Sequence, residues 1–124
     1  MSQEHRIQTF SEFWAFYVGE HRHPTNRFLH YIGTSVGLIC IGLAPILQIW
    51  GLLAVAPIVG YGHAWFGHFA VEGNKPASFA YPGWSFMGDL KMLAYALTGR
   101  MNGEVERLYG SAHPANDAPC LIDF

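Results

Sequence analysis

Two places in this chain of 124 residues gather histidines beside other polar groups. The first is EHRHPTNRFLH at 20–30, where His21, His23 and His30 are set around Pro24. The second is GHAWFGHFAVEGNKPA at 62–77, which holds His63, His68 and Glu72. Imidazole nitrogens joined by a carboxylate suit iron, zinc, copper or nickel, whereas magnesium and calcium take oxygen shells. Cys40 sits inside an apolar run and Cys120 near the C-terminus. Neither is placed to supply a thiolate, which argues against a cysteine-rich zinc site and against a disulfide scaffold. A histidine-based metal site follows only if the two clusters meet.

Whether they meet depends on what lies between them. All seven Lys and Arg residues fall outside 28–72, and Glu72 is the only formally charged side chain within that window. The runs 28–49 and 51–71 each reach the ~20 residues that cross a bilayer as helix, and their glycines and prolines are commoner in membrane helices than in soluble ones. Apolar residues make up 51% of the chain and charged residues 13%, with a mean hydropathy of +0.16. That composition leaves too little polar surface for the faces of a soluble bundle, the alternative home for two apolar helices. Gln48-Ile49-Trp50-Gly51 marks a tight turn, so the chain returns as a hairpin over about 28–72.

From a turn centred on Ile49, His30 lies 19 residues before and His68 lies 19 after. At ~1.5 Å rise per residue both climb to the same depth. Glu72 follows His68 by four residues and shares its helical face, and His21 is tethered to His30 through the Pro24 turn. Ionisable groups at membrane depth are costly and point to function. His21, His30 and His68 are therefore the candidate metal ligands, with Glu72 as catalytic group or further ligand. His63 is a possible ligand, although five residues from His68 place it on another face. His5, His23 and His113 read as hydrogen-bonded interfacial anchors. Asn26 either caps a helix or holds a ligand through its amide. Asp89 either orients a ligand histidine from behind or serves as a helix-start carboxylate.

The flanking segments complete an all-α membrane helical bundle, one domain over 1–124 with a central transmembrane hairpin and interfacial helices beside it. Thr9 and Glu12 fit a capping box, with Ser11 as the other N-cap, for an amphipathic helix over 11–21. Its Phe13, Trp14, Phe16 and Tyr17 suit the headgroup level. Pro24 ends it, and Thr25 or Asn26 caps the next helix. Gly33 and Gly37 form a small-xxx-small pair that lets helices approach closely. A helix over 85–98 lies in the interface, and 100–124 reads as a flexible polar tail. Lys and Arg flank the outer ends of the hairpin and none lies at its turn, so both termini are cytoplasmic. The first residues lack the pattern of a signal peptide. A net charge of −2 without any basic block excludes nucleic acid as partner.

His21-x-x-Pro24-x-Asn26-x-x-x-His30 and Gly67-His68-x-x-x-Glu72-x-x-x-Pro76-Ala77 resemble the paired signatures of the fungal 2-hydroxy fatty acid dioxygenase family, over residues 10–100. FAYPGWSFMGD at 79–89 is similar to a shorter, bacterial-type branch, and longer members carry more hydrophobic sequence between the motifs. The resemblance implies an iron(II)-dependent integral membrane enzyme, of the endoplasmic reticulum in fungi or the inner membrane in bacteria. It would oxidise a 2-hydroxy fatty acid with O2 and shorten it by one carbon. His21, His30 and His68 match the family's histidines and Glu72 its acid. The acyl tail would lie among Leu38, Ile41, Leu52 and Val55. Two other readings stand beside it: a haem-binding membrane electron carrier with axial histidines from two helices, and a non-catalytic scaffold that forms homo-oligomers through Gly33 and Gly37.

Overall fold

The structure, a computed structural model, describes residues 6–123, so His5 lies outside the described residues. Every regular element among them is helical. Helix α1 (Phe10–Gly19) starts as its sequence predicts: the Thr9 hydroxyl accepts the Glu12 N–H at 3.2 Å, satisfying one of the free donors of the first turn. Pro24 does not end this helix. It opens α2 (Pro24–Leu47), where its missing N–H is no loss. His23, rather than Thr25 or Asn26, is the N-cap residue.

Gln48 closes α2 in the left-handed region at φ 57°, and the chain turns into α3 (Leu52–Phe66). α3 then widens into a π-helical turn, Gly67–Glu72. A short 3-10 turn (Ala77–Phe79) leads to α4 (Pro82–Leu97) and α5 (Met101–Tyr109).

α2 and α3 run antiparallel in close contact because small residues face each other along the seam. A Cβ on Gly33 would stand 3.0 Å from the Gly60 carbonyl oxygen, and one on Gly37 would stand 3.4 Å from that of Ala56. The small-xxx-small stripe thus works within the chain, buried against α3, rather than presenting a free face for a second copy.

The core lies beside this hairpin. Phe13, Trp14, Tyr17 and Val18 of α1 pack with Met92 of α4 and with Met101, Val105, Leu108 and Tyr109 of α5. The residues read as a polar tail therefore contain a core helix. Its apolar positions recur at 101, 105, 108 and 109, one face of an amphipathic helix. Two polar contacts fix α5 on α1: Trp14 Nε1 donates to Glu104 at 2.6 Å, and the Tyr109 hydroxyl donates to the Ala15 carbonyl at 2.6 Å. Gly19 leaves the space that the Tyr109 ring fills.

The hairpin itself is apolar and uncovered. Ile46 is 74% exposed, Ile58 71% and Phe66 61%, far more contiguous apolar surface than a soluble monomer presents. Of the two spans expected, the described residues hold one helix long and apolar enough to cross a membrane by itself. That helix is α2, with 24 residues and a hydropathy of 1.6. α3 has 15 residues before its pitch changes.

Because α5 is part of the core, Leu108→Ala should destabilise the fold by about 2–5 kcal/mol, the cost of emptying a buried leucine site. Denaturant unfolding of the detergent-solubilised protein measures this, and a loss under ~0.5 kcal/mol would show α5 to be dispensable.

Candidate metal centre

Each of the three candidate histidines is placed by a different local device. His21 follows the end of α1, where its ring Nδ1 donates to the Tyr17 carbonyl at 2.6 Å. That carbonyl, in the last turn of the helix, also accepts the Glu20 N–H at 3.0 Å, using its second lone pair. The His21 ring lies on the Tyr17 ring, centroids 4.1 Å apart. The tight turn that carries it is clamped by Arg27, whose guanidinium donates to the carbonyls of His21 at 2.7 Å, Arg22 at 2.9 Å and Ala112 at 2.8 Å. His30 sits in the second turn of α2 with Nδ1 donating to the Asn26 carbonyl at 2.9 Å. His68 lies in the π-helical turn, and its Nδ1 donates to the Asn74 side-chain oxygen at 2.7 Å. The Asn74 amide is oriented in turn by donating to the Glu20 carbonyl at 3.1 Å.

These partners settle the chemistry. A carbonyl oxygen only accepts, so each Nδ1 carries the proton and each Nε2 presents a lone pair. Burial, reinforced by the neighbouring His30 and His68 rings, holds the His21 pKa well below the usual histidine range, so the ring is neutral. Yet His21 Nε2 and His30 Nε2 stand 3.0 Å apart, and the ligand atoms of all three histidines lie within 4.8 Å of one another. Lone pairs aimed at one another in a buried site repel unless a cation joins them. Nitrogens that each sit ~2.0–2.1 Å from one metal are about 3 Å apart, a separation the His21–His30 pair already has. The three residues are buried, at 1%, 4% and 1% exposure for His21, His30 and His68. The cluster can hold a metal ion, and its all-nitrogen donors suit iron, zinc, copper or nickel.

The other candidates fall around this cluster rather than in it. Glu72 accepts the His23 backbone N–H at 2.7 Å and the Asn26 amide at 3.3 Å, so its carboxylate sits at the positive N-terminal end of α2. The i+4 rule that placed Glu72 over His68 assumes α-helical pitch, which the π-helical turn does not keep. Asn26 is wholly buried, bridges Glu72 to the His30 backbone partner, and packs its amide against Gly67, where no side chain would fit. His63 is half-buried outside the cluster, bonded to the Val59 carbonyl at 2.9 Å. His23 and His113 face each other away from the centre, ring centroids 4.8 Å apart. Asp89 takes the Tyr17 hydroxyl as donor, so it reaches His21 through the stacked tyrosine. Burial pushes its pKa up to about 6 against the lowering effect of that hydrogen bond. Tyr17, Arg27 and Asn74 are the positioning residues that sequence reasoning missed.

The 3.0 Å between the Nε2 atoms of His21 and His30 is too short for that pair to stand as axial ligands on opposite faces of one haem.

Asn74→Ala should lower affinity for the metal by about 10–100-fold while leaving the fold intact, the usual effect of removing the group that orients a ligand histidine. Competition against a colorimetric chelator measures it, and unchanged affinity would show that the Asn74 contact does not set the His68 ring.

No curated protein and no solved structure matches this chain. A family model described as 2-hydroxy-palmitic acid dioxygenase Mpo1-like matches residues 7–101. With three-quarters of its length matched, including all three histidines, the chain belongs to the Mpo1-like family.

Proposed function

We propose that this protein is an iron(II)-dependent dioxygenase that takes 2-hydroxy fatty acids and shortens them by one carbon. The observation that carries this reading is that His30, one of the three convergent imidazoles, lines an apolar groove. The groove holds about 180 Å³ and runs along the α2–α3 seam from His30 past Gly33, Gly37 and Leu38 to Ile41 and Leu53. Of the residues expected along the acyl tail, Leu38 and Ile41 line it. Leu53 and Ala56 stand there in place of Leu52 and Val55, a shift of one residue on α3.

An amphipathic substrate fits that shape. Its tail lies along the seam, where each buried methylene contributes about 0.8 kcal/mol, and its polar head arrives at the histidines. His21, His30 and His68 would hold the iron, which supplies redox chemistry with O2 and a Lewis-acidic place for the substrate oxygens. The chain does the rest. It keeps the three Nε2 atoms free of protons, shields them from water and aligns the head with the centre. Glu72 acts on the site through Asn26 and the start of α2, holding the His21–His30 turn in register. The exposed α2–α3 hairpin sits in the bilayer with α1 and α4 at its cytoplasmic face, so that a lipid-borne acid enters the groove from the side. Both termini are then cytoplasmic.

Protein purified without chelator and loaded anaerobically should bind about one equivalent of iron, and less than a tenth of an equivalent would count heavily against the reading. On exposure to air with 2-hydroxypalmitic acid it should yield the acid one carbon shorter by mass. His30→Ala and His68→Ala should lose both properties. Leu53→Trp, at the far end of the groove, should shift preference toward shorter chains. Excluding two methylenes lowers kcat/KM for the long acid by about tenfold, and an unchanged chain-length profile would place the tail elsewhere.

A further inference from the structure

The polar end of the groove contains one group without a partner. Ser85 lies on α4 with 5% exposure, and its hydroxyl makes no hydrogen bond. A helical serine has the carbonyl four residues earlier within reach, yet the Tyr81 carbonyl receives only the Ser85 backbone N–H, at 2.8 Å. Leaving a buried hydroxyl unmatched costs stability, so its persistence on this surface needs a reason.

Its surroundings supply one. Ser85 lines the small chamber formed with Tyr17, His21, His30, His68 and Asp89. His30, Tyr61, Ala64, Phe86 and Asp89 line both this chamber and the apolar groove, so the two adjoin across these side chains. No lysine or arginine lines the chamber among the described residues. The Tyr17 hydroxyl is taken by Asp89, and all three histidine Nδ1 protons are taken by oxygen acceptors. Of the fully buried side chains around the chamber, Ser85 therefore has the donor still to be used. An acid whose tail lies along α2 and α3 brings its carboxylate to that place.

We propose that the Ser85 hydroxyl donates a hydrogen bond to the carboxylate of the substrate and so selects acids over neutral lipids of the same length. This rests on the function proposed above and assigns to α4 the recognition of the head. Ser85 is a substrate-binding residue and takes no part in holding metal.

The test measures binding without turnover. Iron-loaded protein in detergent is titrated under nitrogen with 2-hydroxypalmitic acid and, separately, with the 1,2-diol of the same chain length. Ser85→Ala should bind the acid about tenfold more weakly, the loss expected of one hydrogen bond to a charged group. It should bind the diol as wild type does and retain its full equivalent of iron. Ser85→Thr, which keeps the hydroxyl, should restore most of the preference for the acid. Equal binding of the acid by wild type and Ser85→Ala would overturn the proposal and leave the dioxygenase reading standing, as would equal weakening of acid and diol. A wild-type protein that binds iron but not the acid would overturn both.

Discussion

The structure turns on three neutral imidazoles that are forced to face one another. Each ring is locked by an oxygen acceptor behind it, the Tyr17 carbonyl, the Asn26 carbonyl or the Asn74 amide, and each therefore points its lone pair forward. Bringing such groups to 3.0 Å in a buried place is unfavourable by itself. The surrounding protein has to be rigid enough to hold them. That is the work of the aromatic core: Tyr17 belongs to it on one side and stacks on His21 on the other. Gly88 makes the arrangement possible, since a Cβ there would press into the Tyr17 ring at 2.9 Å. Arg27, buried and donating to backbone carbonyls, ties the turn that carries His21 to the C-terminal segment.

Part of this was legible in the sequence because it follows from helix geometry alone. Two antiparallel helices rise equally per residue, so His30 and His68, equidistant from the turn, had to reach the same level. The Gly33 and Gly37 spacing foretold a close seam, and the Thr9 cap followed from the chemistry of a helix start. What could not be read depends on departures from regular pitch and on contacts distant in sequence. Nothing in GHFAVE announces a π-helical turn, and it is the Asn74 side chain that bonds the His68 ring from behind. The glycine at 67 is explained only once Asn26 is seen to occupy the space a side chain would need. Helix α5 was a different case. Its apolar spacing is present in the sequence, but charged neighbours such as Glu104 and Arg107 make the segment polar on average and mask that period.

The molecule is built from two differently organised parts. The α1–α4–α5 part closes around buried aromatics and is organised like a soluble domain. The α2–α3 part buries glycines and alanines along its seam and turns its large residues outward. In water that outward surface would be a liability; in lipid it costs nothing, and helix association there rests on small residues in close contact. The metal cluster lies at the boundary, with His21 supplied by the first part and His30 and His68 by the second.

That boundary position constrains how a substrate can be handled. A centre deep in the hairpin would have to accommodate a charged head in apolar surroundings, and a centre inside the aromatic core would have no path for a long chain. For the substrate proposed above, the tail would stay in the apolar seam throughout, and only the head would cross into the chamber that α4 walls with Ser85 and Asp89. The small residues on the seam then do two things at once. They let α2 and α3 approach, and they form part of the lining of the groove beside the seam. Any larger residue at Gly33 would widen the helix pair by meeting the Gly60 backbone, and the same displacement would carry His30 away from His21 and His68. Helix spacing and ligand convergence therefore both depend on the close approach of α2 to α3 at Gly33–Gly60 and Gly37–Ala56.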